Sequence, residues 1–247
     1  LGNVEGQNIY RIWYDKPASY WEEALPVGNG RIAAMVFGDP QLEQIQLNEE
    51  TVSAGSPYQN YNEEAKTALP EMRRLIFEGK YEEAQNMAAT KILSQVGNEM
   101  PYQTVGRLNI RYQDHKKVNN YYRDLDISNA VAVTRYEVDG VEFTEETFAS
   151  FTDQLVIRHI KASKPGAINC ELFFNTPMRD PKRSIYGKKG LRLEGITHGS
   201  RYCPGKVHYC ADLDVKHKGG KVITANDTLL SVQGASELTS VSYTNLR

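Results

Sequence analysis

The sequence is poor in cysteine, tryptophan, net charge and long apolar runs. Three cysteines, Cys170, Cys203 and Cys210, are too few and odd in number for a disulfide scaffold. Cys203 and Cys210 lie close enough to bridge across a hairpin in an oxidising compartment; the alternative is free or buried thiols in strands. His208 stands between them, with His198 and His217 nearby, but the spacing matches no usual zinc pattern, so neither metal nor cofactor is expected. Lys plus Arg number 29 against 31 Asp plus Glu, a net charge of −2. That balance leaves no basic footprint for nucleic acid and no polybasic patch for a membrane. No window holds roughly 18 successive apolar residues, so no transmembrane helix is expected. Leu1 to Asn8 carries no basic-plus-apolar signal segment, which reads as a cytosolic or already processed chain. What is abundant is tyrosine, at 15 against 7 Phe and 2 Trp. Tyrosine suits both strands and sugar-binding surfaces and cannot choose between them.

Hydrophobic periodicity supplies the architecture. Ala33 to Phe37 is a compact apolar run, and Leu42 to Leu47 alternates, with Glu43, Ile45 and Leu47 on one side. Residues 62–94 change character. Asn62 is a plausible N-cap, Glu63 and Glu64 suit a first turn, and Pro70 suits the start of a second helix. Tyr81 to Leu93 reads as a further helix, with Ala84, Met87, Ala88 and Ile92 at helical spacing. From residue 100 onward the period is two. Asp139-Gly140 is a hairpin signal between Ala130–Val138 and Val141–Phe148. Leu155 to Lys161 alternates, with Val156, Arg158 and Ile160 sharing a face, and Ile168, Cys170, Leu172 and Phe174 line another strand. The predicted fold is mainly β: one large antiparallel β-sandwich with a small helical insert around 62–94, spanning 1–247 as a single domain.

The chemical motifs are sparse. Gly28-Asn29-Gly30-Arg31-Ile32-Ala33 satisfies G-x-G-x-x-A, but a strand-like run follows it, so it reads as a glycine-rich turn and not a dinucleotide loop. Adjacent carboxylates diverge on strands and helices and do not face one glycosidic bond. Glu49-Glu50 is the pair least easily dismissed. It lies in a polar knot with Asn48, ahead of Gly55-Ser56-Pro57, although a plain surface loop would look the same. There is no G-x-S-x-G elbow and no catalytic-cysteine signature. Asn226-Asp227-Thr228 is a glycosylation acceptor or simply a turn.

One ordered series of motifs is more specific. Trp13-Tyr14-Asp15-Lys16-Pro17-Ala18 is followed by Trp21-Glu22-Glu23-Ala24-Leu25-Pro26-Val27-Gly28-Asn29-Gly30-Arg31, and then by Gln46-Leu47-Asn48-Glu49-Glu50-Thr51-Val52. After these come Ala65 to Tyr81, Tyr102-Gln103, Tyr122-Arg123 with Leu125-Asp126, Phe148-Ala149-Ser150 with Asp153-Gln154, and Gly219-Gly220. Taken together they resemble the N-terminal domain of glycoside hydrolase family 95, the α-L-fucosidase and α-L-galactosidase group. The resemblance implies a large β-sandwich (a supersandwich) ahead of a linker, an (α/α)6 barrel and a small C-terminal β domain. It also implies inverting, metal-free exo-hydrolysis, with a glutamic acid as general acid and asparagines and an aspartate positioning water, all in the barrel. The barrel is expected to be absent from this chain, so no catalytic residue is carried over.

The chain departs from the family pattern at Ala33, where Gly is usual, at Ser53, where Trp is usual, and at Arg107, where Asp is usual. The expected role is to buttress the barrel, in a periplasmic or secreted enzyme of polysaccharide degradation. The loops Leu25 to Arg31 and Gln46 to Ser56 would edge the substrate pocket through Asn29, Arg31, Asn48, Glu49 and Glu50. Expected partners are the catalytic barrel, an oligosaccharide, and a second copy through an exposed interdomain face. Two alternatives are a stand-alone carbohydrate-binding module built on Tyr10, Trp13, Tyr14, Tyr20 and Trp21, and hydrolysis by this chain with Glu49 or Glu50 as the acid.

Overall fold

A computed structural model describes residues 10–56, 59–94, 100–200 and 203–246. The chain divides into two compact units. The first, formed by Leu1–Ser53, Tyr102–Thr197 and Val207–Arg247, is a sandwich of two antiparallel sheets. Its strands are β1 (Arg11–Tyr14), β2 (Leu25–Gly28), β3 (Ile32–Val36), β4 (Leu42–Glu49), β5 (Gly106–Tyr112), β6 (Asn119–Asp126), β7 (Val131–Val138) and β8 (Val141–Ser150). They continue with β9 (Leu155–Ala162), β10 (Ile168–Asn175), β11 (Arg179–Tyr186), β12 (Gly190–Ile196), β13 (His208–Lys218), β14 (Lys221–Asn226), β15 (Leu229–Ala235) and β16 (Glu237–Leu246). A nine-stranded sheet runs β1-β6-β7-β8-β9-β16-β13-β12-β11, and a seven-stranded sheet runs β14-β15-β10-β5-β4-β3-β2.

The alternation in the sequence sets which face is buried. Along β4 every second residue (Glu43, Ile45, Leu47 and Glu49) is buried, and along β10 the buried set is Ile168, Cys170, Leu172 and Phe174. The apolar members of both sets meet Ile160, Leu191, Leu213 and Leu238 of the other sheet in one continuous core. Asp139 and Gly140 both take positive φ, 49° and 71°, as a two-residue turn matched to strand twist requires. None of the three cysteines is in a disulfide, and all three are buried.

The core also holds charge. Arg158 on β9 donates to Glu43 of the opposite sheet at 2.7 Å, to Thr147 Oγ1 at 2.8 Å, and to Glu145 on β8. Glu43 also accepts the backbone N–H groups of Phe37 and Gly38. The Tyr136 and Tyr112 hydroxyls donate to Glu145 at 2.7 and 3.1 Å. Burial pushes both phenols well up, so they remain neutral donors. Two carboxylates against one guanidinium are thus satisfied by neutral donors as well as by charge.

The second unit, Ala54–Pro101 with His198–Lys206, carries the helices α1 (Ala65–Phe77) and α2 (Tyr81–Met87), the latter continued by a π-helical turn over Ala88–Ile92. Pro70 does not begin a new helix: it lies inside α1. A helix starting there would need a capping oxygen at Leu69, which has none, whereas continuing through Pro70 forfeits only one bond near the N-terminus. Asn62 is likewise displaced from the predicted cap. It accepts the Glu64 N–H through its side chain, and the helix begins after Glu64. Gly79, at φ 76°, ends α1 with its own N–H on Ile76 O and the Lys80 N–H on Leu75 O.

β11 carries no apolar alternation in the sequence: it is polar and contains Pro181. As the outermost strand of its sheet it tolerates both features.

Candidate functional site at one end of the sandwich

The turn joining β2 to β3 is built by Asn29. Its side-chain oxygen accepts the N–H groups of Arg31 and Ile32, at 3.0 and 2.9 Å, which closes the chain back on itself. Its amide donates to Ser150 O at 2.8 Å, at the end of β8 in the other sheet. Gly30 takes φ 94° at the tip, with open space where a side chain would be.

Arg31 extends the brace. Its Nη2 donates to Thr244 O at 3.2 Å, near the end of β16, and its Nε lies 3.5 Å from Glu49 Oε1. The backbone continues the contact, since Glu50 N–H donates to Arg31 O at 2.9 Å. Register explains the meeting, because Ile32 pairs with Glu49 and Gly28 with Ala33 across neighbouring strands.

Glu49 is 2% exposed and fully engaged. Besides Arg31 it accepts from Thr51 N–H at 2.8 Å and Thr51 Oγ1 at 2.6 Å. The Tyr102 hydroxyl donates to Glu49 O at 2.9 Å. Partial burial, then the Glu49 and Glu50 charges, raise the Tyr102 phenol above its ordinary value, so it stays a donor. Every polar contact of the Glu49 carboxyl is with a donor group, so the geometry uses it as a hydrogen-bond acceptor.

Four of the five sequence candidates, Asn29, Arg31, Glu49 and Glu50, therefore come together where strands of both sheets end. Asn48 does not join them. Its neighbour Glu49 is buried, and the alternation of β4 turns Asn48 to the outer face beside Ala33. Exposed side chains border the cluster: Glu50, Tyr102, and Phe151, which follows Ser150 and is 76% exposed. The Phe151 contribution had no signal in the sequence, because a lone aromatic after a strand is unremarkable.

One of the unusual residues also finds an explanation. Ala33 faces Gly28, where a side-chain carbon would crowd the Ala33 methyl at 3.3 Å, so the extra methyl fits because its neighbour has none. Ser53 pairs with Tyr102 in an isolated bridge.

The early aromatics do not form one platform. Tyr14 lies under Arg123, 4.1 Å from ring centre to guanidinium, and Trp13 stacks on Tyr122 at 6.2 Å. Tyr20 and Trp21 lie instead beside Phe37 and Asp39, next to the seven-stranded sheet.

Residues 12–244 match the family described as "Glycosyl hydrolase family 65, N-terminal domain". The chain belongs to that family. The motifs in the sequence point to family 95 and the matched family is numbered 65; both readings make this the N-terminal domain of a glycoside hydrolase. The chain is 37% identical over 181 residues to "Alpha-L-fucosidase 2" of Arabidopsis thaliana, covering 71% of this chain and 21% of that protein. It is 26% identical over 162 residues to "Probable alpha-fucosidase A" of Aspergillus niger, covering 62% of this chain and 20% of that protein. The chain thus spans about a fifth of the length of the curated relatives it matches. A solved structure titled "Putative kojibiose phosphorylase from human microbiome" is 11% identical, with a TM-score of 0.47, over 96% of this chain and 32% of that one.

Proposed function

We propose that this glycoside hydrolase domain supports a catalytic barrel that removes terminal L-fucose or L-galactose from polysaccharide, with the cluster Asn29, Arg31, Glu49 and Glu50 edging the sugar pocket. The observation that carries the reading is the double brace of Arg31, which ties the β2–β3 turn to Glu49 and to Thr244 O. Such a brace holds polar loops in one geometry, as the rim of a binding pocket requires. The length of the relatives supports a further domain for these loops to meet. Glu50, Gly30, Tyr102 and Phe151 are the exposed groups on offer to a partner surface. The expected compartment is the periplasm or the exterior, where polysaccharide is met. Without its barrel, the same exposed end is the surface through which two copies would pair.

The test is kinetic. In the full-length protein, Arg31→Ala and Glu50→Ala are expected to lower kcat/KM for an aryl α-L-fucoside by about tenfold, as loss of one positioning interaction does. Unchanged constants in both variants would remove the loops from the pocket. Sedimentation of this chain with Phe151→Asp tests the pairing: loss of a dimer supports it, and a monomer before substitution refutes it.

A further inference from the structure

The outer face of the seven-stranded sheet carries two adjoining recesses. One, of about 350 Å³, is lined by Tyr20, Trp21, Phe37, Asp39, Gln44 and Arg107, among others. The next, of about 300 Å³, is lined by Gln46, Thr104, Arg107, Asn175 and Thr176, among others. Arg107 lines both, so the two recesses adjoin at its side chain as a two-part cleft.

Register places the polar groups in a row. Gln46, Arg107 and Asn175 are direct cross-strand partners on β4, β5 and β10. Two strand spacings make that row about 10 Å, roughly the length of a disaccharide. Among the described residues the side-chain amides of Gln46 and Asn175 have no hydrogen-bond partner. Arg107 donates through Nη1 to Gln44 at 2.8 Å, and its guanidinium lies 5.8 Å from the centre of the Phe37 ring. The row thus offers two free amides, each donor and acceptor at once, and a partly free guanidinium fork.

The aromatic end is held in place. Trp21 opens a short 3-10 turn, Trp21–Glu23, and is 49% exposed; Tyr20 beside it is 57% exposed. The turn is fixed from behind. Glu23 accepts the Ser19 N–H at 2.8 Å, and the buried Arg123 donates to Glu23 O at 2.7 Å and Lys16 O at 2.8 Å. Ala18 N–H bonds Phe37 O at 2.9 Å, which sets this segment against the sheet.

We propose that this cleft is a binding site for a neutral oligosaccharide, lying along the Gln46–Arg107–Asn175 row with one sugar ring at the Tyr20–Trp21 end. Planar amides and a guanidinium pair with vicinal hydroxyls as bidentate partners, and aromatic faces cover the C–H side of a sugar ring. The recess holds one cation, Arg107, and one anion, Asp39, in its lining, so an acidic chain meets a charge of each sign and gains little there. The site uses none of the residues in the braced loop cluster, and the failure of either reading leaves the other standing.

The experiment is titration of the chain with lactose, 2′-fucosyllactose, cellotetraose and a galacturonic acid trimer, read by calorimetry and by backbone amide shifts. The expected result is saturable binding of at least one neutral probe, with shifts centred on Gln46, Arg107 and Asn175. Arg107→Ala and Trp21→Ala, both exposed positions, are each expected to weaken it about five- to tenfold. Arg111→Ala, two rows further along the same face, is expected to leave it unchanged. Absence of saturable binding by all three neutral probes would overturn the proposal. So would binding untouched by both variants, or a preference for the acidic trimer.

Discussion

Arg158 of the nine-stranded sheet and Glu43 of the seven-stranded sheet meet at 2.7 Å in the middle of the sandwich, each side chain 1% exposed. The pair ties the two sheets by charge, beside the Tyr112–Glu145 hydrogen bond, within a core that is otherwise largely apolar. Removing one member leaves the other buried without its partner, which costs several times what the pair contributes.

Arg158→Met is therefore expected to destabilise the first unit by about 3–5 kcal/mol, because Glu43 and Glu145 then face each other with no cation between them. Replacing Arg158, Glu43 and Glu145 together by apolar residues is expected to cost much less than the sum of the single changes. Urea unfolding of the set checks this, and additive losses would show that the three do not act as one network.

Gly38 is the second expected point of weakness. It takes φ 76°, and a side-chain carbon there would lie 2.7 Å from Tyr121 Oη and 2.9 Å from Arg123 Cδ. Its N–H is also one of the donors to Glu43. Gly38→Ala is expected to cost about 2–3 kcal/mol, read as a lowered midpoint in denaturant. Gly30→Ala, where nothing lies within 4 Å, carries only the backbone penalty of its φ and should cost distinctly less.

His115 predicts a pH dependence. It is buried, stacked on Tyr112 at 4.1 Å, with Nδ1 3.1 Å from Pro40 O and 3.3 Å from Tyr136 Oη. Burial lowers its pKa, although the Pro40 carbonyl and the charges of Asp114 and Asp139 oppose that. The unfolded chain therefore takes up the proton first. Stability from the neutral ring is present above about pH 6.5 and is lost as pH falls from there toward the lowered folded value. Melting temperature followed from pH 7.5 to 5 should fall more steeply for the parent than for His115→Phe. Parallel curves would mean that His115 does not titrate against folding.

Asn29→Ala removes two turn-closing bonds and the contact to Ser150 O. An overall loss of about 1–2 kcal/mol is expected, with faster amide exchange at Arg31 and Ile32 than elsewhere on β3. Uniform exchange along β3 would show that the turn is held by other contacts.

Much of this arrangement was legible in the residues. Alternation put Glu43 on the face of Ile45 and Leu47, and Arg158 on that of Val156 and Ile160, so both charges were already aimed inward. Their meeting was not legible, because 115 positions separate them and only the sheet order brings them together. The cluster of Asn29, Arg31, Glu49 and Glu50 followed from its polar, glycine-rich loops, but counting off the same alternation would have excluded Asn48. β11 has no apolar alternation because an outermost strand need not be apolar, and α1 runs through Pro70 because only one bond is lost near its start. The row of Gln46, Arg107 and Asn175 depends on the register of three strands, which no local pattern encodes.

The central claim is that this domain braces loops for a catalytic partner and does not itself cleave glycosides. Release of 4-nitrophenol from aryl α-L-fucoside and aryl α-L-galactoside by this chain alone tests it most directly. The account predicts no turnover above buffer, and no difference between the parent chain and Glu49→Gln or Glu50→Gln. Turnover that either substitution abolishes would contradict it and return one of these glutamates to the role of general acid.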